Sequence, residues 1–104
     1  MDKADAISIA KRYASAVKGN YEFIKLILFG SYAKGNFTED SDIDIAIVFS
    51  DYNNLIDMQL ELMRLRRKID SRIEPHPFRE RDFNLSDPLV DEIVKHGKEI
   101  VINE

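Results

Sequence analysis

The sequence predicts a small mixed α/β domain, a β-sheet flanked by helices in the approximate order α-β-α-β-α-β-α, and three observations predict it. Residues 23–29 are apolar almost without a break, as a strand covered on both faces should be, and residues 42–49 alternate between a core face and a face that begins with two acids. Around them apolar residues recur at steps of three and four, the spacing of helices with one buried side. These patterns alternate within 104 residues, which leaves apolar surface for one core, so residues 1–104 are expected to form a single domain.

Residues 2–18 read as a helix whose apolar side is thin, carried by Ile7, Ala10, Ala14 and Val17 and ended by Gly19-Asn20. The first strand, 23–29, stops at Gly30. A loop rich in small and polar residues follows, and residues 42–49 form the second strand. Along it Ile43, Ile45, Ile47 and Phe49 point to one face and Asp42, Asp44, Ala46 and Val48 to the other. Leu55, Met58, Leu62, Leu65 and Ile69 mark an amphipathic helix, with Arg64, Arg66, Arg67 and Lys68 as its solvated side and last turn. Residues 70–77 can form a third strand, expected at a sheet edge or only partly paired, because Pro75 and Pro77 have no amide to donate. Ser86-Asp87-Pro88 starts a last helix, with Leu89, Val90, Ile93 and Val94 facing inward and Gly97 ending it. Ile100-Val101-Ile102 is expected to add a short terminal strand.

Composition excludes several classes of function. Without cysteine there is no disulfide framework, thiolate zinc site or cysteine nucleophile. The apolar runs are too short to span a bilayer and Met1-Asp2-Lys3 opens no signal peptide, so a soluble, cytoplasmic protein is expected. A net charge of −4 argues against direct nucleic-acid binding, which draws its affinity from clustered Lys and Arg. A small anion can still bind through backbone amides and a metal ion.

The chemistry concentrates in Gly30-Ser31, followed ten residues later by Asp42-x-Asp44. A glycine leaving a buried strand allows a tight turn, and the amides that open the next helical turn can receive phosphate oxygens. Ser31 adds a hydroxyl, and Lys34 brings a positive charge to the same phosphates. Two aspartates one residue apart on a strand project to the same side and can share oxygen-seeking cations such as magnesium. Two Mg2+ ions held there would serve an in-line displacement at the α-phosphate of a nucleoside triphosphate. Glu74, on the next strand and held extended by Pro75, is the candidate third acid.

Leu28-Phe29-Gly30-Ser31-Tyr32-Ala33-Lys34-Gly35 with Asp40-Ser41-Asp42-Ile43-Asp44-Ile45 resembles the signature of the polymerase-β-type nucleotidyltransferase superfamily, and specifically its minimal branch, the MNT domain. The likeness runs from about Phe23 onward and includes Arg72-Ile73-Glu74-Pro75-His76-Pro77-Phe78 and the helix from Pro88 to Gly97. It implies a nucleotidyltransferase fold with Gly30 and Ser31 on the triphosphate, Asp42 and Asp44 on the metals, and Glu74 completing the carboxylate set. Lys34 stands where many members have arginine, which keeps the charge and loses the bidentate geometry. Glutamate at the third acidic position adds one methylene of reach. Standalone MNT proteins are often paired with a HEPN-domain RNase toxin, so the resemblance implies transfer of AMP from ATP to a toxin tyrosine by a chain acting as antitoxin. Two other readings stand beside it. The fold can serve as a binding module that covers a HEPN partner with little chemistry, or the acceptor can be a small molecule.

Other residues are read as structural. His76 falls by alternation on the side of Glu74, but magnesium prefers oxygen and one histidine without a spaced partner is weak evidence for a ligand. His96 is a helix-end residue and Tyr32 a packing or loop residue.

Overall fold

The computed structural model describes residues 1–102. In chain order the elements are α1 (Lys3–Lys18), β1 (Lys25–Phe29), α2 (Ser31–Lys34), β2 (Ile43–Phe49), α3 (Leu55–Arg66), β3 (Ile73–Arg79), a 3-10 turn at Glu80–Asp82, α4 (Pro88–His96) and β4 (Lys98–Glu99). The mixed α/β class and the helix–strand alternation are as the sequence predicts, with the 3-10 turn as an addition. The strands form one sheet in the order β3-β2-β1-β4. β1 is antiparallel to both β2 and β4, while β2 and β3 run parallel. A parallel neighbour needs a crossover, and α3 provides it.

Two apolar layers sandwich the sheet. Under α1 and α3, Leu26, Leu28, Ile43, Ile45, Ile47, Phe49 and Ile73 pack with Ala6, Ala10, Tyr13, Ala14, Val17 and Leu62. On the other side Ile27, Phe29 and Ala46 meet Ile93 of α4, with Phe78 and Phe83 against them. β2 is therefore buried on both faces, and among its seven residues Asp44 alone is not fully covered.

Local chemistry explains the helix ends. Asp2 and Asp5 form a reciprocal capping box at the start of α1, at 2.9 and 3.1 Å. Ala6, Ala10 and Ala14 make its buried face thin, and the Tyr13 hydroxyl reaches across to donate to the Leu62 carbonyl at 2.8 Å. Burial pushes the Tyr13 phenol well above its ordinary pKa. Asn54 caps α3 and Asp87 caps α4, where Pro88 occupies the first turn.

The amphipathic stripe of α3 is narrower than the spacing suggests. Leu62 is buried, and Met58, Leu65 and Ile69 pack at the edge of the core, but Leu55 is exposed because it lies at the helix start, beyond the sheet. On α4, Val90 and Ile93 face inward while Val94 is exposed and Leu89 lies largely open. Arg66 is not part of a solvated side: it donates to the Ile73 carbonyl at 2.8 Å.

β3 takes the sheet edge predicted from its prolines, although it is paired with β2 along its whole length, from Ile73 to Arg79. In a parallel ladder alternate residues turn their amide and carbonyl toward the partner. The Ile43 amide donates to the Arg72 carbonyl, so positions 74, 76 and 78 face β2 and positions 73, 75 and 77 face outward. Pro75 and Pro77 therefore sit where a missing amide removes no ladder bond. The outward carbonyls of Ile73 and Pro75 are taken by Arg66 and by Gln59, the latter at 3.0 Å.

The terminal strand lies earlier than residues 100–102. Lys98 and Glu99 pair with β1, and only the Ile100 amide continues the contact, to the Leu26 carbonyl at 2.8 Å. Gly97 fixes this register, because a side chain there would collide with the Ile93 carbonyl and with Ile27. No helix of the described residues is long and apolar enough to cross a membrane.

Candidate functional site

The site grows from the end of β1. Gly30 leaves the strand with φ 74°, a left-handed conformation that only glycine adopts freely, and serves as N-cap of α2. The first helical bond of that turn is the Lys34 amide to the Gly30 carbonyl at 3.1 Å. The amides of residues 31–33 precede it and so have no partner within the turn.

A second constraint on Gly30 comes from the neighbouring strand. Asp44 pairs with Phe29 across the β1–β2 ladder, and its carboxylate lies against the Gly30 α-carbon so closely that an added Cβ would collide with Oδ2. The turn and the acid thus fit each other. On the other side of β2, Asp44 pairs with Glu74 of β3. Because register neighbours share a face, both carboxylates emerge on the α4 side of the sheet, beyond the part that α4 covers.

Asp42 lies immediately before β2 and is exposed. Neither the Asp42 nor the Glu74 side chain makes a hydrogen bond or ion pair with the described residues, so their carboxylate oxygens are available. Among the described residues, however, no three His, Cys, Asp or Glu side chains stand close enough to hold a metal ion as they are. The acids are aligned by the sheet without being drawn into a cluster.

Lys34 follows Ser31 by three residues and forms an ion pair with Glu92 of α4, linking the turn to that helix. Tyr32 is buried, and its ring stacks on Phe37 at 4.7 Å, so it packs the loop after α2. Beside it is an open recess of about 580 Å³ lined by Met1, Tyr32, Phe37, Thr38, Glu39 and Arg72. Arg72 is anchored there by Asp70 through 2.9 and 2.6 Å bonds, and that guanidinium holds the Asp70 carboxyl below its usual range.

His76 stands closer to the acids than its type suggests. Its Nε2 lies 3.3 Å from Asp44 Oδ1, and its ring meets Phe29 edge-on at 5.1 Å. The sequence signal was the i, i+2 relation to Glu74; what sequence cannot give is the strand that lies next to it.

Comparison with known proteins shows the family. Residues 11–104 match the family described as Polymerase beta, Nucleotidyltransferase. The chain belongs to that family. Among curated relatives of this nucleotidyltransferase-family chain is a "Putative protein adenylyltransferase" of Methanocaldococcus jannaschii, 46% identical over 56 residues, which are 51% of this chain and 56% of the relative. The match thus spans little more than half of that relative's length. Another of the same name and organism is 30% identical over 73% of this chain and 77% of its own. Among solved structures, a toxin–antitoxin crystal structure with AMP-PNP has a TM-score of 0.69 at 26% identity, covering 90% of this chain and 74% of the other. The complex of tri-AMPylated HEPN toxin with MNT antitoxin from Shewanella oneidensis has a TM-score of 0.65 at 23% identity, with coverages of 94% and 73%, and supports the fold alone.

Proposed function

We propose that this chain is a magnesium-dependent adenylyltransferase that moves AMP from ATP to a tyrosine of a HEPN-family toxin and acts as its antitoxin. The observation that carries the reading is the fit of the Asp44 carboxylate against Gly30, with Glu74 at the paired position on β3. It puts an acid and an anion-receiving turn in contact, as a metal-bound triphosphate requires. The resemblance to protein adenylyltransferases and to a toxin–antitoxin pair holding AMP-PNP supports the choice of ATP and of a protein acceptor.

The residues fit magnesium in donor type and reach. Asp42, Asp44 and Glu74 offer hard oxygen ligands, and adjacent strands lie only about 4.8 Å apart, within the reach of two carboxylate side chains toward one ion. Bound there, Mg2+ would neutralise charge developing on the phosphates. The amides of α2 and the Ser31 hydroxyl receive phosphate oxygens. Lys34 joins them by exchanging Glu92 for phosphate, an exchange made cheap by the exposure of that ion pair.

In the transfer, the tyrosine oxygen forms a bond to the α-phosphorus as the bond to the β-phosphate oxygen breaks, and pyrophosphate leaves. Glu74, whose side chain is unpaired among the described residues, serves either as third metal ligand or as the group that takes the phenolic proton.

The test mixes the purified chain with ATP, magnesium and the protein encoded by the neighbouring gene. The expected result is a partner that gains the mass of one or more AMP groups on tyrosine and loses RNase activity. If the partner is inhibited without gaining mass, and the Asp42→Asn/Asp44→Asn variant inhibits it as well, the chain acts by complex formation and the enzymatic reading is overturned.

A further inference from the structure

Phe29 on β1 pairs with Asp44 and His76 on β3 with Ala46, so the two start more than two strand spacings, each about 4.8 Å, from each other. Their ring centroids are nevertheless 5.1 Å apart, at 64°. Both rings therefore lean inward over β2. On that face of β2 the partner of His76 is Ala46, which is completely buried and clusters with Phe29. Its single methyl leaves the space the imidazole occupies. From there the imidazole reaches diagonally along the sheet, and Nε2 comes within 3.3 Å of Asp44 Oδ1.

The two oxygens of Asp44 are thus restrained from opposite sides. Oδ1 meets the imidazole, and Oδ2 rests against the Gly30 α-carbon. An ionised carboxylate only accepts hydrogen bonds, so the contact requires the N–H on Nε2. The aromatic wall of Phe29 fixes the plane of the ring that supplies it.

We propose that His76 is a positioning residue: through its Nε2–H it sets the orientation in which Asp44 presents its oxygens to magnesium, with the Phe29 ring and the Ala46 methyl holding the imidazole in place. The inference rests on the metal role given to Asp44 above. Carboxylates that ligate metals are commonly oriented by such a partner, whose loss lowers metal affinity by about ten- to a hundredfold.

Mn2+ serves as the probe, with its affinity for the whole chain measured without nucleotide by paramagnetic resonance. His76→Leu keeps an apolar group against Phe29 but has no donor, and it is expected to bind Mn2+ about tenfold more weakly with an unchanged melting temperature. His76→Gln, whose amide nitrogen reaches the place of Nε2, should restore most of the affinity, whereas His76→Asn, which is shorter, should not. If His76→Leu binds like wild type while Asp44→Asn does not, or if Gln and Leu bind equally weakly, the positioning role is overturned. If Asp44→Asn also binds like wild type, or the wild-type chain binds no Mn2+, the metal role of Asp44 fails, and this inference falls with it.

Discussion

The two faces of β2 are built from the same seven residues and are put to opposite uses. Ile43, Ile45, Ile47 and Phe49 enter a closed layer under α1 and α3, where packing alone is decided. The alternate positions enter a thinner layer under α4 that stops short, leaving the side chain of Asp44 27% exposed between Gly30, Glu74 and His76. The difference shows how a small domain keeps a charged site without weakening its core: one strand carries both, and the two-residue period separates them.

The sharpest way to break this comparison is to change neighbours on opposite faces. Ile45→Ala should lower unfolding free energy by about 2–5 kcal/mol, because the closed layer cannot collapse around the lost atoms. Asp44→Asn should change stability by less than about 1 kcal/mol and yet cut AMP transfer at least about a hundredfold. Urea unfolding and a transfer assay on both variants check this, and a large stability loss for Asp44→Asn would erase the division between faces.

The junction of turn and acid is tested next. Gly30→Ala places a Cβ at positive φ and against the Asp44 carboxylate, so a cost of roughly 1–3 kcal/mol is expected together with loss of transfer. Gly35 also has positive φ, at 87°, but has open space around it. Gly35→Ala should show the conformational cost without the collision, and equal losses in the two variants would remove Asp44 from the account.

The smallest effect concerns acid sensitivity on the α3 side. Hydrogen bonds from Arg64 and Tyr21 hold the Glu61 carboxyl down from 4.5 to about 2. Because the folded value is depressed, the stabilisation is present above the unfolded pKa and is lost as pH falls toward about 2. Glu61→Gln should therefore flatten the decline of stability below pH 4.5, measured by denaturant titration across that window. The carboxylate is exposed, so the change will be modest.

Much of this was legible in the sequence because it depends on local spacing. The double-aspartate alternation, the glycine at a strand exit and the prolines of an edge strand each act within a few residues, and Asp44, Gly30 and β3 stand where that spacing puts them. What could not be read depends on which elements become neighbours. The Lys34–Glu92 pair joins residues 58 apart, and Arg66 meets the Ile73 carbonyl only through the turn that joins the end of α3 to the start of β3. His76 reaches diagonally to Asp44 past an alanine, Ala46, its own partner on β2, a fact that needs the register. The terminal strand shifted because a close approach at Gly97, not the apolarity of residues 100–102, decides where pairing with β1 begins.

The proline-bearing rim of β3 also governs how anything large can approach. Its outward amides at 75 and 77 do not exist, and its outward carbonyls at 73 and 75 are already occupied from α3. A visiting polypeptide finds only an interrupted backbone template on that border of the sheet, which disfavours chain-on-chain growth from it. Recognition from that side must be written in side chains.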